Sequence, residues 1–118
     1  MPLMPGLAQI TTANTNRDGT GTLVDVVVPV TSGGALITTV QVIATGTTTA
    51  GVVRLFLYDG TNNRLLAEQL VSAITPSTSV AVWSATITVN VTIPSTWKLK
   101  ASTHNTETFN VIPLTANL

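Results

Sequence analysis

Residues 44–71 read ATGTTTAGVVRLFLYDGTNNRLLAEQLV and predict a β-hairpin. The run 52–58 is rich in the β-branched and aromatic residues that suit a pleated sheet. Asp59-Gly60-Thr61-Asn62-Asn63 then supplies turn residues, because glycine reaches positive φ freely and asparagine tolerates it better than most residues. The run 64–71 leads back along the first strand, and we expect the rest of the chain to be organised around this pair.

A register follows if Tyr58 lies opposite Arg64, because facing residue numbers then have a constant sum. Arg54 then faces Glu68, an opposite-charge pair worth roughly 0.2–1 kcal/mol, and Phe56 faces Leu66. One face is apolar and is assigned to the core: Val53, Leu55, Leu57, Leu65 and Ala67. The other face mixes apolar and charged groups, as the rim of an interface does: Arg54, Phe56, Tyr58, Arg64, Leu66 and Glu68. A slip of one residue would exchange the two faces.

Short alternating runs continue on both sides of the hairpin. The alternation is clearest in residues 80–93, where the odd-numbered positions carry Trp83, Ile87 and other apolar side chains. Residues 36–44 offer two faces, one with Leu36, Thr38, Val40 and Val42, the other with Ile37, Thr39, Gln41 and Ile43. Seven or eight short strands separated by turn residues predict an all-β fold, an antiparallel β-sandwich of jelly-roll type.

The length of 118 residues predicts one domain. We assign residues 13–118 to the sandwich and residues 1–12 to an N-terminal arm or edge strand. Two prolines and a glycine oppose regular structure in the first six residues, yet Leu3, Met4 and Leu7 are apolar. The arm therefore either packs on its own domain or reaches a partner. No targeting segment is visible at this end, which favours synthesis and retention in the cytoplasm unless the chain leaves within a particle.

Charged residues make up only 8% of the chain, against roughly 25% in typical domains, and the net charge is zero. A neutral surface argues against electrostatic binding of nucleic acid or of acidic membranes. The solubility of a lone monomer usually depends on a net charge away from zero, so the composition favours a subunit of an assembly. The alternative is a thermally robust secreted domain with a threonine-rich surface.

The sequence offers little catalytic or metal-binding equipment. His104 is the single histidine and cysteine is absent, so a multi-histidine or thiolate site within one chain is excluded. The G-x-S-x-G nucleophile elbow is missing, and the Asp59 to Asn63 turn lacks the acidic ligand series of a calcium loop. We therefore expect no enzyme activity, no catalytic residue, no metal and no cofactor.

Three runs of residues carry a family resemblance. They are ATGTTTAG at 44–51, which leads into Val53-Arg54-Leu55-Phe56, then WKLKASTHN at 97–105 and ETFNV at 107–111. Together they resemble small structural proteins of tailed bacteriophages and prophages, over most of the chain from about residue 13 onward. The N-terminal arm lies outside the likeness.

The resemblance implies a virion structural protein, and within that group a capsid decoration (cement) protein. Such a protein would bind the major capsid protein on the head surface after synthesis in the host cytoplasm, as a homo-oligomer, with a homotrimer expected. We assign the oligomer and capsid interface to the apolar arm and the mixed hairpin face: Leu3, Met4, Leu7, Arg54, Phe56, Tyr58, Leu66 and Glu68. The alternative is a tail, fibre or head-fibre module that binds a host receptor or glycan through the 59–63 and 104–107 loops.

Overall fold

The computed structural model describes residues 7–118, apart from the side chain of Asn117. Its strands are β1 (Ala8–Ile10), β2 (Val24–Val27), β3 (Ala35–Ala44), β4 (Gly51–Tyr58), β5 (Asn63–Val71), β6 (Ser84–Ile93), β7 (Lys98–Thr103) and β8 (Phe109–Asn117). Every pairing between these strands is antiparallel. The described residues contain no helix, so the predicted all-β class is confirmed.

The strands form two four-stranded sheets whose order is that of a jelly roll. Sheet A has the order β1-β8-β3-β6, and sheet B has the order β2-β7-β4-β5. Among consecutive strands of the described chain, only β4 and β5 pair with each other, because every other connection crosses from one sheet to the other. This pattern is the double Greek key of a jelly roll, and it confirms the predicted sandwich. The fold supports many unrelated functions, so function has to be argued from surfaces and sites.

The core lies between the sheets and is filled by the inward-facing residues of both. Trp83 and Phe109 meet edge to face, with their ring centroids 5.7 Å apart, an arrangement that aromatic rings prefer. Around them pack aliphatic side chains, among them Ile37, Leu55 and Leu99, which are fully buried. Trp83, one of the odd-numbered apolar residues of the 80–93 run, is therefore part of the core.

A bulge in β5 changes the faces of the hairpin from those predicted. Arg54 lies opposite Glu68 as expected, but the register shifts by one between Leu55 and Phe56. Phe56 therefore faces Leu65, and Leu66 is the extra residue of the bulge. The predicted orientations of these two leucines were wrong: Leu66 packs against the core, whereas Leu65 is exposed.

Two further irregularities bend sheet A. Thr38 is an extra residue of β3 relative to β8, so the buried side chains pass from Ala35 and Ile37 to Val40 and Val42. Neither predicted face of residues 36–44 therefore runs unbroken along the strand. In β6 the shift occurs at Asn90, whose φ of 50° makes it the single non-glycine residue with positive φ among the described residues. Asparagine tolerates this conformation better than most side chains.

Candidate docking surface

The charged residues in the strands of this molecule all belong to one of its two sheets. The chain has five Lys and Arg and five Asp and Glu residues, and none of them lies in the four strands of sheet A. Sheet B carries six of them: Asp25, Arg54, Arg64, Glu68, Lys98 and Lys100. The others lie in connecting segments, at Arg17, Asp18, Asp59 and Glu107. The two sides of the sandwich therefore differ in the chemistry they present to a partner.

The outer face of sheet A is uncharged, and several of its side chains are exposed within the described range 7–118. Side chains that alternate with the buried residues of β8 point outward there, and Leu114 is 60% exposed. On β3 and β6 the outward residues include Gln41, Thr86 and Thr88, all exposed and adjacent across the strand pair. A face of threonine, glutamine and isolated leucine loses little solvation when a neutral surface covers it, because no charge has to be desolvated.

This face ends in a groove beside the edge strand β1. The groove has a volume of about 510 Å³ and is lined by Leu7, Ala8, Gln9, Asn110 and Ile112. Two of these lining residues are joined by a 3.0 Å hydrogen bond, which Gln9 Nε2 donates to Asn110 Oδ1. Leu7 stands at the rim with 68% of its surface exposed. We call the outer side chains of sheet A together with this groove the uncharged face.

Part of the outer face of sheet B lies beneath the chain's own 14–22 loop. Phe56 points away from the core on β4, yet it is fully buried. The loop spans the region above it, because Arg17 binds Glu68 on one side and the Gly19 carbonyl accepts a 3.2 Å hydrogen bond from Asn63 on the other. Both anchors lie on β5, on either side of Leu65, the residue that pairs with Phe56.

Asn14 gives the 14–22 loop its shape. Its buried side-chain amide donates hydrogen bonds to the backbone carbonyls of Thr20 and Thr22 through Nδ2 and accepts one from the backbone N–H of Asn16 through Oδ1. Asp18 Oδ1 accepts hydrogen bonds from the side chain and backbone of Thr20, which lower the pKa of the Asp18 carboxyl. The loop is therefore an ordered cover.

Glu68 links the loop to the sheet. One of its oxygens, Oε2, lies 2.6 Å from Arg17 Nε and 2.7 Å from Arg54 Nε. These hydrogen bonds, first from Arg17 and then from Arg54, lower the pKa of the Glu68 carboxyl. Arg54 is only 3% exposed, so Glu68 balances a guanidinium that is almost removed from water.

The structure places the predicted interface residues in several different environments. Leu3 and Met4 lie outside the described residues, whereas Leu7 is exposed at the rim of the groove. Arg54 and Phe56 are buried within the chain, and Leu66 packs against the core, so these three present little or no surface to a partner.

The remaining two predicted residues lie on the sheet B side. Tyr58 is half-buried beneath Lys100, whose Nζ lies 4.4 Å from the ring centroid, and Glu68 is exposed. The uncharged face was not among the predicted surfaces, although the residues of its four strands include no charged side chain.

The two loops considered for glycan binding lie at opposite ends of sheet B. Tyr58, before the 59–63 turn, pairs with Lys98 at the start of β7, whereas the 104–107 loop follows the other end of that strand. The 59–63 turn is closed by its own residues, because Asp59 Oδ1 accepts hydrogen bonds from the backbone N–H groups of Asn62 and Thr61, which lower the pKa of its carboxyl. The 104–107 loop is tied to the segment before β4, because Glu107 Oε2 accepts hydrogen bonds from the backbone N–H and the hydroxyl of Thr49 at 2.8 and 2.7 Å. They do not form a joint binding site.

Residues 7–118 bring together no group of three or more His, Asp and Glu side chains able to hold a metal ion. His104 is half-buried beside the 49–51 segment, where its backbone N–H donates to the Val52 carbonyl at 2.9 Å. Across the same described range, no helix is long and apolar enough to cross a lipid bilayer.

Comparison with known proteins gives distant structural likenesses only. No family model matches the chain, and no curated protein matches it. It is similar to chains in solved structures of infectious bursal disease virus: the Gt strain (14% identity, TM-score 0.41), the Gx strain (14%, 0.42) and the T13 viral particle (11%, 0.41). The matches cover 98% of this chain and 32%, 33% and 31% of those chains, so it spans about a third of their length.

Proposed function

We propose that this chain is a virion structural protein, a capsid decoration protein of a tailed bacteriophage that binds the outer head shell through its uncharged face. The observation that carries the proposal is the segregation of charge, which leaves all four strands of sheet A without a charged side chain. The residue runs at 44–56, 97–105 and 107–111 support it through their resemblance to small phage structural proteins.

The mechanism is adhesion by a rigid body. Sheet A is backed by the shared core, so its outer face keeps one shape and little conformational entropy is lost when it docks. Each contact can be weak, because many copies on a regular shell raise the effective concentration of every further contact. The shell partner is the major capsid protein, and copies of this chain join one another on the head surface. The chain performs no enzymatic step and uses no cofactor or metal ion.

The location test is a density map of virions that contain this chain. We expect ordered copies on the outer surface of the head, with sheet A turned toward the shell. Copies found in the tail, or a head surface with no density for the chain, would overturn the proposal.

The surface test uses two lysine substitutions at residues of matched exposure. Leu114→Lys places a charge on the uncharged face, whereas Val30→Lys places it in the β2–β3 connection, where the native valine is 63% exposed. In co-sedimentation with undecorated heads, L114K should weaken binding at least about tenfold, because a buried unpaired ammonium costs more than a lost leucine contact. V30K should bind like the native chain. Equal losses in both variants would rule out sheet A as the docking face.

A further inference from the structure

We infer that β6 is an open pairing edge, and that its occupant is β6 of a second copy of this chain. The inference rests on the proposed function, in which copies join on the head, and it specifies how they join. It comes from a comparison of the four edge strands of the two sheets: β1 and β6 in sheet A, and β2 and β5 in sheet B.

Three of these edges are protected against pairing with another chain. β1 has three residues and β2 has four, with a register shift in β2, so both are too short to attract a long partner strand. β5 has nine residues, but it carries Arg64 and Glu68, bears the bulge at Leu66 and is tied to the 14–22 loop. Charge, bulges and covering segments are the usual means of blocking edge-to-edge association.

β6 lacks those protections along its first half. It has ten residues, SATITVNVTI, with no charge and no proline, and its bulge lies late in the strand at Asn90. Valine, isoleucine and threonine, which favour strands, make up most of it. A long, uncharged and regular edge of this kind is a template for another strand.

The backbone groups available for pairing can be assigned. Ala44 N–H donates to the carbonyl of Trp83, the residue before β6, at 2.9 Å, so the two residues form a hydrogen-bonded pair of the β3–β6 ladder. Hydrogen-bonded and non-hydrogen-bonded pairs alternate along an antiparallel ladder. Ala85 and Ile87 therefore direct their backbone groups toward β3. Ser84, Thr86 and Thr88 direct theirs to the open edge, and all three residues are exposed.

These three residues complement a second copy of themselves. With Thr86 on a two-fold axis, Thr86 faces its own counterpart and Ser84 faces Thr88, which gives about six backbone hydrogen bonds in three exchanged pairs. Threonine and serine opposite threonine are favourable cross-strand neighbours, and no like charges meet. A two-fold contact requires this self-complementarity.

The N-terminal residues are a poorer occupant of this edge. Residues 1–6 read MPLMPG, and the two prolines lack the N–H groups that a ladder needs. A second copy of β6 has a backbone N–H and C=O at every residue, so it can supply all the donors and acceptors of the ladder.

Pairing about a two-fold axis perpendicular to the sheet would also join the uncharged faces of the two copies into one continuous surface of eight strands. Both faces would be turned the same way, so the dimer would bind a shell through two contacts.

The experiment measures the mass of the purified full-length chain by sedimentation equilibrium and the amide hydrogen exchange of β6 by NMR. We expect a dimer that dissociates on dilution, and we expect the backbone amides of Thr86 and Thr88 to lose their protection against hydrogen exchange as it does so. Ala85 and Ile87 should stay protected at every concentration, because their N–H groups serve the ladder with β3. A monomer at all concentrations, a trimer, or exchange at Thr86 and Thr88 that is independent of concentration would overturn the inference.

Two pairs of variants separate edge pairing from contact through the face. Thr86→Pro removes an edge N–H without removing a bond to β3, and it should abolish the dimer, with Thr86→Val as the dimeric control. Thr86→Lys should raise the dimer dissociation constant at least about tenfold, because like charges would face each other across the axis. Gln41→Lys puts the same charge on the same face one strand inward, opposite Thr86, and should change the constant less than about twofold.

Far-UV circular dichroism and thermal unfolding confirm that each variant folds. If T86K and Q41K weaken the dimer equally, the outer face and not the edge makes the contact, and the inference fails. The test also separates this inference from the proposed function. A native chain that decorates heads as a monomer disproves edge pairing alone, and a dimer that binds no head disproves the decoration role alone.

Discussion

Replacing Phe56 by alanine should destabilise the isolated chain by about 3 kcal/mol. Phe56 is fully buried although it points away from the main core, because the 14–22 loop covers it. A buried aromatic side chain removes roughly 150 Å² or more from water, which corresponds to roughly 4 kcal/mol at about 25 cal/mol per Å². Alanine keeps part of that burial and the loop can settle toward it, so we expect the lower end of the usual range of roughly 3–5 kcal/mol.

The assay is urea unfolding followed by tryptophan fluorescence at several protein concentrations. The loss in unfolding free energy should be the same at each concentration, because the cover belongs to the same chain. Leu65→Ala is the control, since Leu65 faces Phe56 across the hairpin but is 40% exposed, and it should cost less than about 1 kcal/mol. A loss below about 1 kcal/mol for F56A, or one that appears only when copies associate, would refute the intramolecular cover.

Three further outcomes follow from local geometry. Hydrogen bonds from Arg17 and Arg54 lower the pKa of the Glu68 carboxyl below its ordinary 4.5. The stability that ionised Glu68 contributes to the fold is therefore complete above pH 4.5 and is lost as the pH falls through the lowered pKa. Urea midpoints measured from pH 7 to acid should therefore fall less steeply in Glu68→Gln than in the native chain. Gly34→Ala should lower the unfolding free energy, measured in urea, by at least about 2 kcal/mol, because the φ of Gly34 is +86° and a Cβ there would overlap the Ile93 carbonyl oxygen. Gly46→Ala is the control, and it should change the unfolding free energy by less than about 0.5 kcal/mol because Gly46 has open space around it. Asn90→Val should lower the unfolding free energy by about 1–2 kcal/mol through the positive φ, while Asn90→Gly should not.

In the β4–β5 hairpin, the sequence pattern predicted the strands and part of their register. Alternation and turn residues predicted β4, β5 and the pairing of Arg54 with Glu68, because a period of two and a glycine-containing turn are local properties of the chain. The orientations of Leu65 and Leu66 were wrong, because a bulge inserts one residue without leaving a recognisable mark in the sequence. The same reason explains why residues 36–44 were given two unbroken faces, although Thr38 divides the buried set.

The predicted interface and the candidate surface of the structure differ for another reason. The hairpin face with Phe56 was a reasonable interface candidate in isolation, since a pattern cannot show that a loop some forty residues earlier lies across it. The uncharged face, by contrast, needed the assembly of β1, β8, β3 and β6 into one sheet before its lack of charge became a single surface.

By itself, the sequence determined that this chain forms strands, where they turn, and that its few charges fall in certain strands and not in others. These properties depend on neighbouring residues, so they can be recognised without knowledge of distant contacts. The tertiary structure alone decided which strands share a sheet, where the bulges fall, which apolar side chains the 14–22 loop covers and which edge stays open. Those outcomes depend on packing between segments far apart in the chain, where one extra residue in a strand reverses the faces that follow it.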